Sequence, residues 1–132
     1  MRTATLAAGC AAAALALAGC GKSDEDKVKE TVTSYIDALS NGDGAKACGL
    51  VSASAANQIK TQSKAKDCAS AIESFTKSSD GAAVKQAFKA AKVEKVKVKG
   101  KKATATIKVA NQTAPLPLEK NGSDWKLSSV GG

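Results

Sequence analysis

Apolar positions along this chain recur with one period in its first two thirds and with another in the rest. Val28, Val32, Tyr35, Ile36 and Leu39 stand at the spacing of one helix face, with Ser23 and Asp26 arranged as a capping box before them and Asn41-Gly42 as the stop. Asp43 is placed to cap a second, shorter helix carrying Ala47, Cys48, Leu50 and Val51, which residues 52–54 should break. Residues 55–62 fit no single period. A third helix is predicted over residues 64–77, where Cys68, Ile72 and Phe75 form one stripe, and Asp80-Gly81 reads as punctuation before a helical stretch marked by Val84, Ala87, Phe88 and Ala91.

The period then changes from 3.6 to 2. Glu94, Val96 and Val98 alternate with Lys95, Lys97 and Lys99; beyond a turn at Gly100-Lys101, Ala103, Ala105, Ile107 and Val109 alternate with Lys102, Thr104, Thr106 and Lys108. That is a hairpin with one dry and one wet face. Leu116 and Leu118 suggest a third strand, in which Pro115 and Pro117 suit an edge or a strand start better than a central position. Asn121-Gly122 turns the chain into a fourth strand, where Trp125 and Leu127 share a face. Helices first and an antiparallel four-stranded meander afterwards predict an α+β fold.

The amino terminus follows neither pattern. Arg2, an apolar run over residues 4–18 and a small-residue exit make a secretory signal, and a run of about 15 residues is shorter than the roughly 20 needed to cross a bilayer as a helix. Leu17-Ala18-Gly19-Cys20 resembles the lipobox of bacterial lipoproteins, with cleavage between Gly19 and Cys20 and acylation of Cys20. Cys10 is a poorer candidate, because Ala7 replaces the Leu and the apolar run would be cut in half. The expected organisation is a cleaved helical signal peptide over residues 1–19, the lipidated Cys20 and a tether through residue 26, and one domain over residues 27–132. The expected location is the extracytoplasmic face of the cell membrane.

Loss of residues 1–19 leaves 113 residues and removes only Arg2 from the charges, so a net +8 becomes +7. Tyr35, Phe75, Phe88 and Trp125 are the only aromatics, and Ala fills many apolar positions, which makes for a thin core. Exported domains with thin cores are commonly stapled by disulfides. With Cys20 acylated and Cys10 discarded, Cys48 and Cys68 remain to pair. A metal site would need more ligands than two Cys in a chain without His, so no metal and no cofactor are expected.

Several short stretches together resemble a family. Val32, Tyr35, Ile36, Ala38 and Leu39 lead into Asn41-Gly42-Asp43-Gly44 and Ala47-Cys48; later come Gly100-Lys101-Lys102-Ala103-Thr104 and the run from Asn121 to Leu127. Over residues 24–130 the chain resembles small bacterial lipoproteins with a nuclear-transport-factor-2-like, cystatin-like domain, including the DUF4878 group. The resemblance implies a curved sheet wrapped against the long first helix, forming a cone whose mouth can hold a small apolar ligand. Tyr35, Glu94 and Trp125 are the candidate lining. The chain departs from the fuller fold in lacking a strand pair between its early helices.

Enzymes of that fold place acids, bases or Tyr inside the cone. The mature chain has no His and no Arg, which removes His-based dyads and triads and any Asp-Arg-Asp arrangement. Tyr35 with Glu94, as general acid and base of an isomerase or hydrolase, is the catalytic alternative. Tyr35 as core and Glu94 as a solvated strand end is the stronger reading, so no catalytic residue is assigned. Lys95, Lys97, Lys99, Lys101 and Lys102 crowd the hairpin and would suit an anionic lipid surface or a cell-wall polymer, or serve only to keep the sheet soluble and its edge unpaired. Nucleic acid is not expected, since the patch lacks Arg and interleaved aromatics. Asn111-Gln112-Thr113 and Asn121-Gly122-Ser123 match a glycosylation pattern that carries little meaning in a bacterial protein. The expected function is a non-catalytic binding or envelope-interaction module held at the membrane by its lipid.

Overall fold

Short polar side chains set the start of each helix, because the first N–H groups of a helix have no partner within it. The computed structural model describes residues 21–130, so the signal peptide, Gly19 and Cys20 lie outside the described residues. Helix α1 (Asp24–Asn41) begins where the Ser23 hydroxyl accepts the Asp26 N–H at 3.1 Å, inside the segment expected to be tether, and buries Val28, Val32, Tyr35, Ile36 and Ala38. It ends at Gly42, whose φ of 73° is the left-handed geometry that glycine takes without strain. Helix α2 (Gly44–Gly49) follows, its N-cap Asp43 accepting the Lys46 N–H at 3.0 Å.

Residues 52–54 do not merely break the chain. Ser52 accepts the Ala55 N–H at 3.2 Å and caps α3 (Ala53–Ser63), the segment that sequence periodicity left undecided. The next helix starts later than expected. Lys64 adopts a φ of 55°, the chain reverses, and Asp67 caps α4 (Cys68–Lys77) by accepting the Ser70 N–H at 2.7 Å. The reversal lets Cys68 meet Cys48, and the two form a disulfide with Cα atoms 6.0 Å apart. A loop of that size contributes about 3 kcal/mol in the chain-entropy model. Ser78 then ends α4 and caps α5 (Ser79–Lys89), so the break comes before Asp80-Gly81, which lies within the first turn of α5.

Strands β1 (Lys92–Lys99), β2 (Lys102–Val109), β3 (Gln112–Asn121) and β4 (Asp124–Leu127) form an antiparallel meander in the order β1-β2-β3-β4. The α+β expectation holds, and among the described residues five helices precede the sheet with no strand pair among them. In β2, Ala103, Ala105 and Ile107 are buried while Lys102, Thr104 and Lys108 are exposed. In β1 the register slips between Val93 and Lys95, so Val93 pairs with Ile107 and Lys95 with Thr106. Glu94 is the extra residue of this bulge.

The two prolines lie in β3, an inner strand by order, where a missing N–H should break the ladder. The register resolves this. The Lys120 N–H reaches the Lys101 carbonyl at 2.8 Å, so even-numbered residues of β3 direct their N–H toward β2, whereas Pro115 and Pro117 face the other side. There β4 begins its pairing only at Leu118, and the prolines lie along the stretch of β3 that outruns it. The outer edge of β4 is covered by the chain after α2: the Leu127 N–H donates to the Leu50 carbonyl at 3.0 Å, and the Ser52 N–H to the Leu127 carbonyl at 2.8 Å. Helix α1 packs across β1, β2 and β4, and Val28, Val32, Leu118, Trp125 and Leu127 are fully buried beneath it.

Candidate functional site

A gap lies between the helices and the sheet where Tyr35 and Leu39 of α1 come over Ile107 and Val109 of β2. The gap is a groove of about 620 Å³. Tyr35 and Leu39 line it from α1, Phe75 from α4, Phe88 from α5, and Val109 and Leu116 from the sheet, with Ile59 of α3 closing a side. Most of this lining is apolar, and no charged residue contributes to it. Phe75 stands at the rim with 48% of its surface exposed, the one large apolar side chain so placed among the described residues.

The polar atoms of the groove are few. Ser63 donates to the Ile59 carbonyl at 2.7 Å and Thr76 to the Glu73 carbonyl at 3.0 Å, so both hydroxyl protons are committed to their own helices. The Tyr35 hydroxyl makes no hydrogen bond among the described residues, and its oxygen still reaches solvent although the residue as a whole is only 7% exposed. Burial pushes its pKa up to about 12, because a phenolate there would be poorly solvated. It therefore remains a neutral O–H donor facing an apolar space, able to hold an acceptor such as a carbonyl oxygen.

Of the three candidate lining residues, the groove contains only Tyr35. Glu94 shares parity with Val96 and Val98 in the sequence, but the bulge rotates it out of that face. Its side chain is exposed, with a carboxylate oxygen 3.9 Å from Lys108 Nζ. Trp125 is buried at the other end of the domain, where its Nε1 donates to Asp24 Oδ1 at 3.2 Å and Lys120 Nζ lies 5.7 Å from the ring centroid. The Tyr35 and Glu94 acid–base pair is thus not assembled. Sequence reasoning missed Leu39, Ile59, Phe75, Phe88 and Leu116 as a lining, since a helical stripe signals burial without saying what it is buried against. The weak signal was the number of large apolar stripe positions facing strands rich in Ala.

Lys95, Lys97 and Lys99 project from the wet face of β1, and Lys101 and Lys102 from the turn after it, all exposed. Glu119 stands opposite Lys102 on the neighbouring strand. A second, polar cleft of about 490 Å³ lies beside Trp125 and is lined by Lys22, Lys27, Glu30, Asp124 and Lys126 among others. Two of its charges are answered by each other, Lys22 pairing with Glu30 at 2.6 Å, while Lys126 donates to the Gly49 carbonyl. Among the described residues no group of three or more His, Cys, Asp or Glu is gathered for a metal ion, and no helix is long and apolar enough to cross a membrane.

The family model described as "Putative lumazine-binding" matches residues 23–118. No curated protein and no solved structure matches the chain.

Proposed function

The chain belongs to this lumazine-binding-type family of nuclear-transport-factor-2-like domains, and on that footing we propose that it is a non-catalytic receptor for a small, uncharged, planar ligand held in the groove beside Tyr35. The observation that carries the reading is an uncharged cavity of about 620 Å³ lined by one tyrosine O–H that its surroundings keep neutral. Cavities of this size and apolarity suit a ring compound with modest substituents. A carbonyl on a fused heterocycle of the lumazine kind would accept from Tyr35, and Phe75 and Phe88 would cover its faces and edges. The lining supplies no base to take a proton from such a ligand. The lipobox-like Leu17-Ala18-Gly19-Cys20 supports the rest of the proposal: the domain is a lipoprotein, acylated at Cys20 and displayed on the extracytoplasmic face of the membrane.

Calorimetric titration with lumazine, a flavin and a linear fatty acid tests the ligand class. Saturable one-to-one binding of a ring compound is expected, weakened roughly tenfold by Tyr35→Phe, as loss of one net hydrogen bond of about 1.4 kcal/mol requires. Leu116→Trp, which fills the groove, should abolish it. Binding that survives Leu116→Trp, or a preference for the fatty acid over every ring compound, would overturn the reading.

A further inference from the structure

The start of α1, the turn between β1 and β2 and the end of β3 meet at one point. The Lys120 N–H donates to the Lys101 carbonyl at 2.8 Å, and Lys120 Nζ reaches the two Asp24 carboxylate oxygens at 2.9 and 3.1 Å. Trp125 Nε1 donates to the same carboxylate. Only Gly21, Lys22 and Ser23 separate Asp24 from Cys20, a tether that spans at most about 14 Å from the Asp24 Cα when fully extended.

The mouth of the groove is at the other end. Tyr35 and Leu39 stand in the later turns of α1, about 22 Å from its start at 1.5 Å per residue for Leu39. Val109 ends the β2 strand that Lys102 begins, and Leu116 lies in the first half of the β3 strand that ends at Asn121. Helix α1, β2 and β3 thus each run from the end near the tether to the groove.

Resting on the reading of Cys20 as the acylated residue, we propose that Lys99, Lys101 and Lys102 sit on anionic lipid headgroups and that the groove opens away from the bilayer, taking its ligand from the aqueous side. The three lysines are exposed and flank the point from which the tether leaves. The neighbouring carboxylates are in part answered, Asp24 by Lys120 and Glu30 by Lys22, which leaves Glu25 and Asp26 with Lys27 beside them, Glu119 opposite Lys102, and Asp124 across from Asn121. A tether of three residues cannot carry the mouth down to the membrane without lifting this turn off it.

Amine acetylation of the full acylated protein on vesicles, read lysine by lysine by mass spectrometry, tests the orientation. Lys99, Lys101 and Lys102 should react about fivefold more slowly on vesicles containing phosphatidylglycerol than on phosphatidylcholine alone, the occupancy that about 1 kcal/mol per lysine gives. Lys60 and Lys64, exposed beside the mouth, should keep their rates. Equal rates at the turn on both vesicles would overturn the proposal, as would slowing of Lys60 and Lys64. Intact mass of the same sample separates the premises: absence of acyl mass defeats the anchor and the orientation together, whereas an acylated protein with an unprotected turn defeats the orientation alone. Slowing on purified wall polymer but not on vesicles would assign the turn to the polymer and also overturn it.

Discussion

Asp24 joins three parts of the chain through one carboxylate, and its ionisation follows from that. The Lys120 ammonium, then the Trp125 N–H, hold its pKa below the ordinary value by bonding the charged form. A depressed folded pKa contributes stability above the unfolded value of about 3.9, and the contribution is lost as pH falls through the folded one. Asp24→Asn should therefore lower the denaturation midpoint at neutral pH, and the gap to the native protein should close as pH drops below about 4. Emission of Trp125 during denaturant unfolding measures both. A gap that does not change with pH would mean that the carboxylate acts only as a neutral acceptor for the indole. Tyr35 titrates far above this range, so the gap owes nothing to it.

Elements are fixed by contacts that a linear pattern shows unequally. Caps were legible: Ser23, Gly42 and Asp43 act as their positions in the sequence suggest, because capping is a local interaction. The pairing of Cys48 with Cys68 was also legible, from the number of cysteines left once Cys10 and Cys20 are read as parts of an export signal. The bulge at Glu94 was not, since a one-residue slip depends on how β1 meets its partner, and with it the predicted face of Glu94 was lost. Gly81 shows a third case. It looks like a turn glycine, yet it is helical, and a Cβ there would lie 1.7 Å from the Phe75 carbonyl oxygen. It is glycine because α5 crosses the last turn of α4 at that point. Gly81→Ala must push the two helices apart and should destabilise by about 2 to 3 kcal/mol, the upper range of overpacking. Gly49→Ala, which meets nothing within 4 Å, should be neutral or stabilise slightly. Equal midpoints for the two variants in thermal denaturation would refute the close approach. Because Phe75 and Val84 line the groove on either side of that crossing, Gly81→Ala should also weaken ligand binding.

At the scale of the molecule, burial is uneven in a way that divides the work of folding from that of binding. Val28, Val32, Leu118, Trp125 and Leu127 form a fully buried core against the sheet, whereas α3 buries only Ala55 and α5 only Gly81. Helices with so little buried apolar surface open at a lower free energy than the rest of the domain. The disulfide limits how far this can go, since it ties α2 to the start of α4 on either side of α3. Hydrogen exchange should therefore be slowest in α1, β2 and β3, faster in α4, and fastest in α3 and α5. A ligand in the groove binds the closed form alone. At about 100 times its dissociation constant it should slow exchange in α3 and α5 roughly a hundredfold, and by the same factor at amides that exchange only through global unfolding, which also releases the ligand. If α3 and α5 exchange as slowly as β2 without ligand, the groove is rigidly preformed. The ligand then enters through the fixed mouth, and no helix moves to admit it.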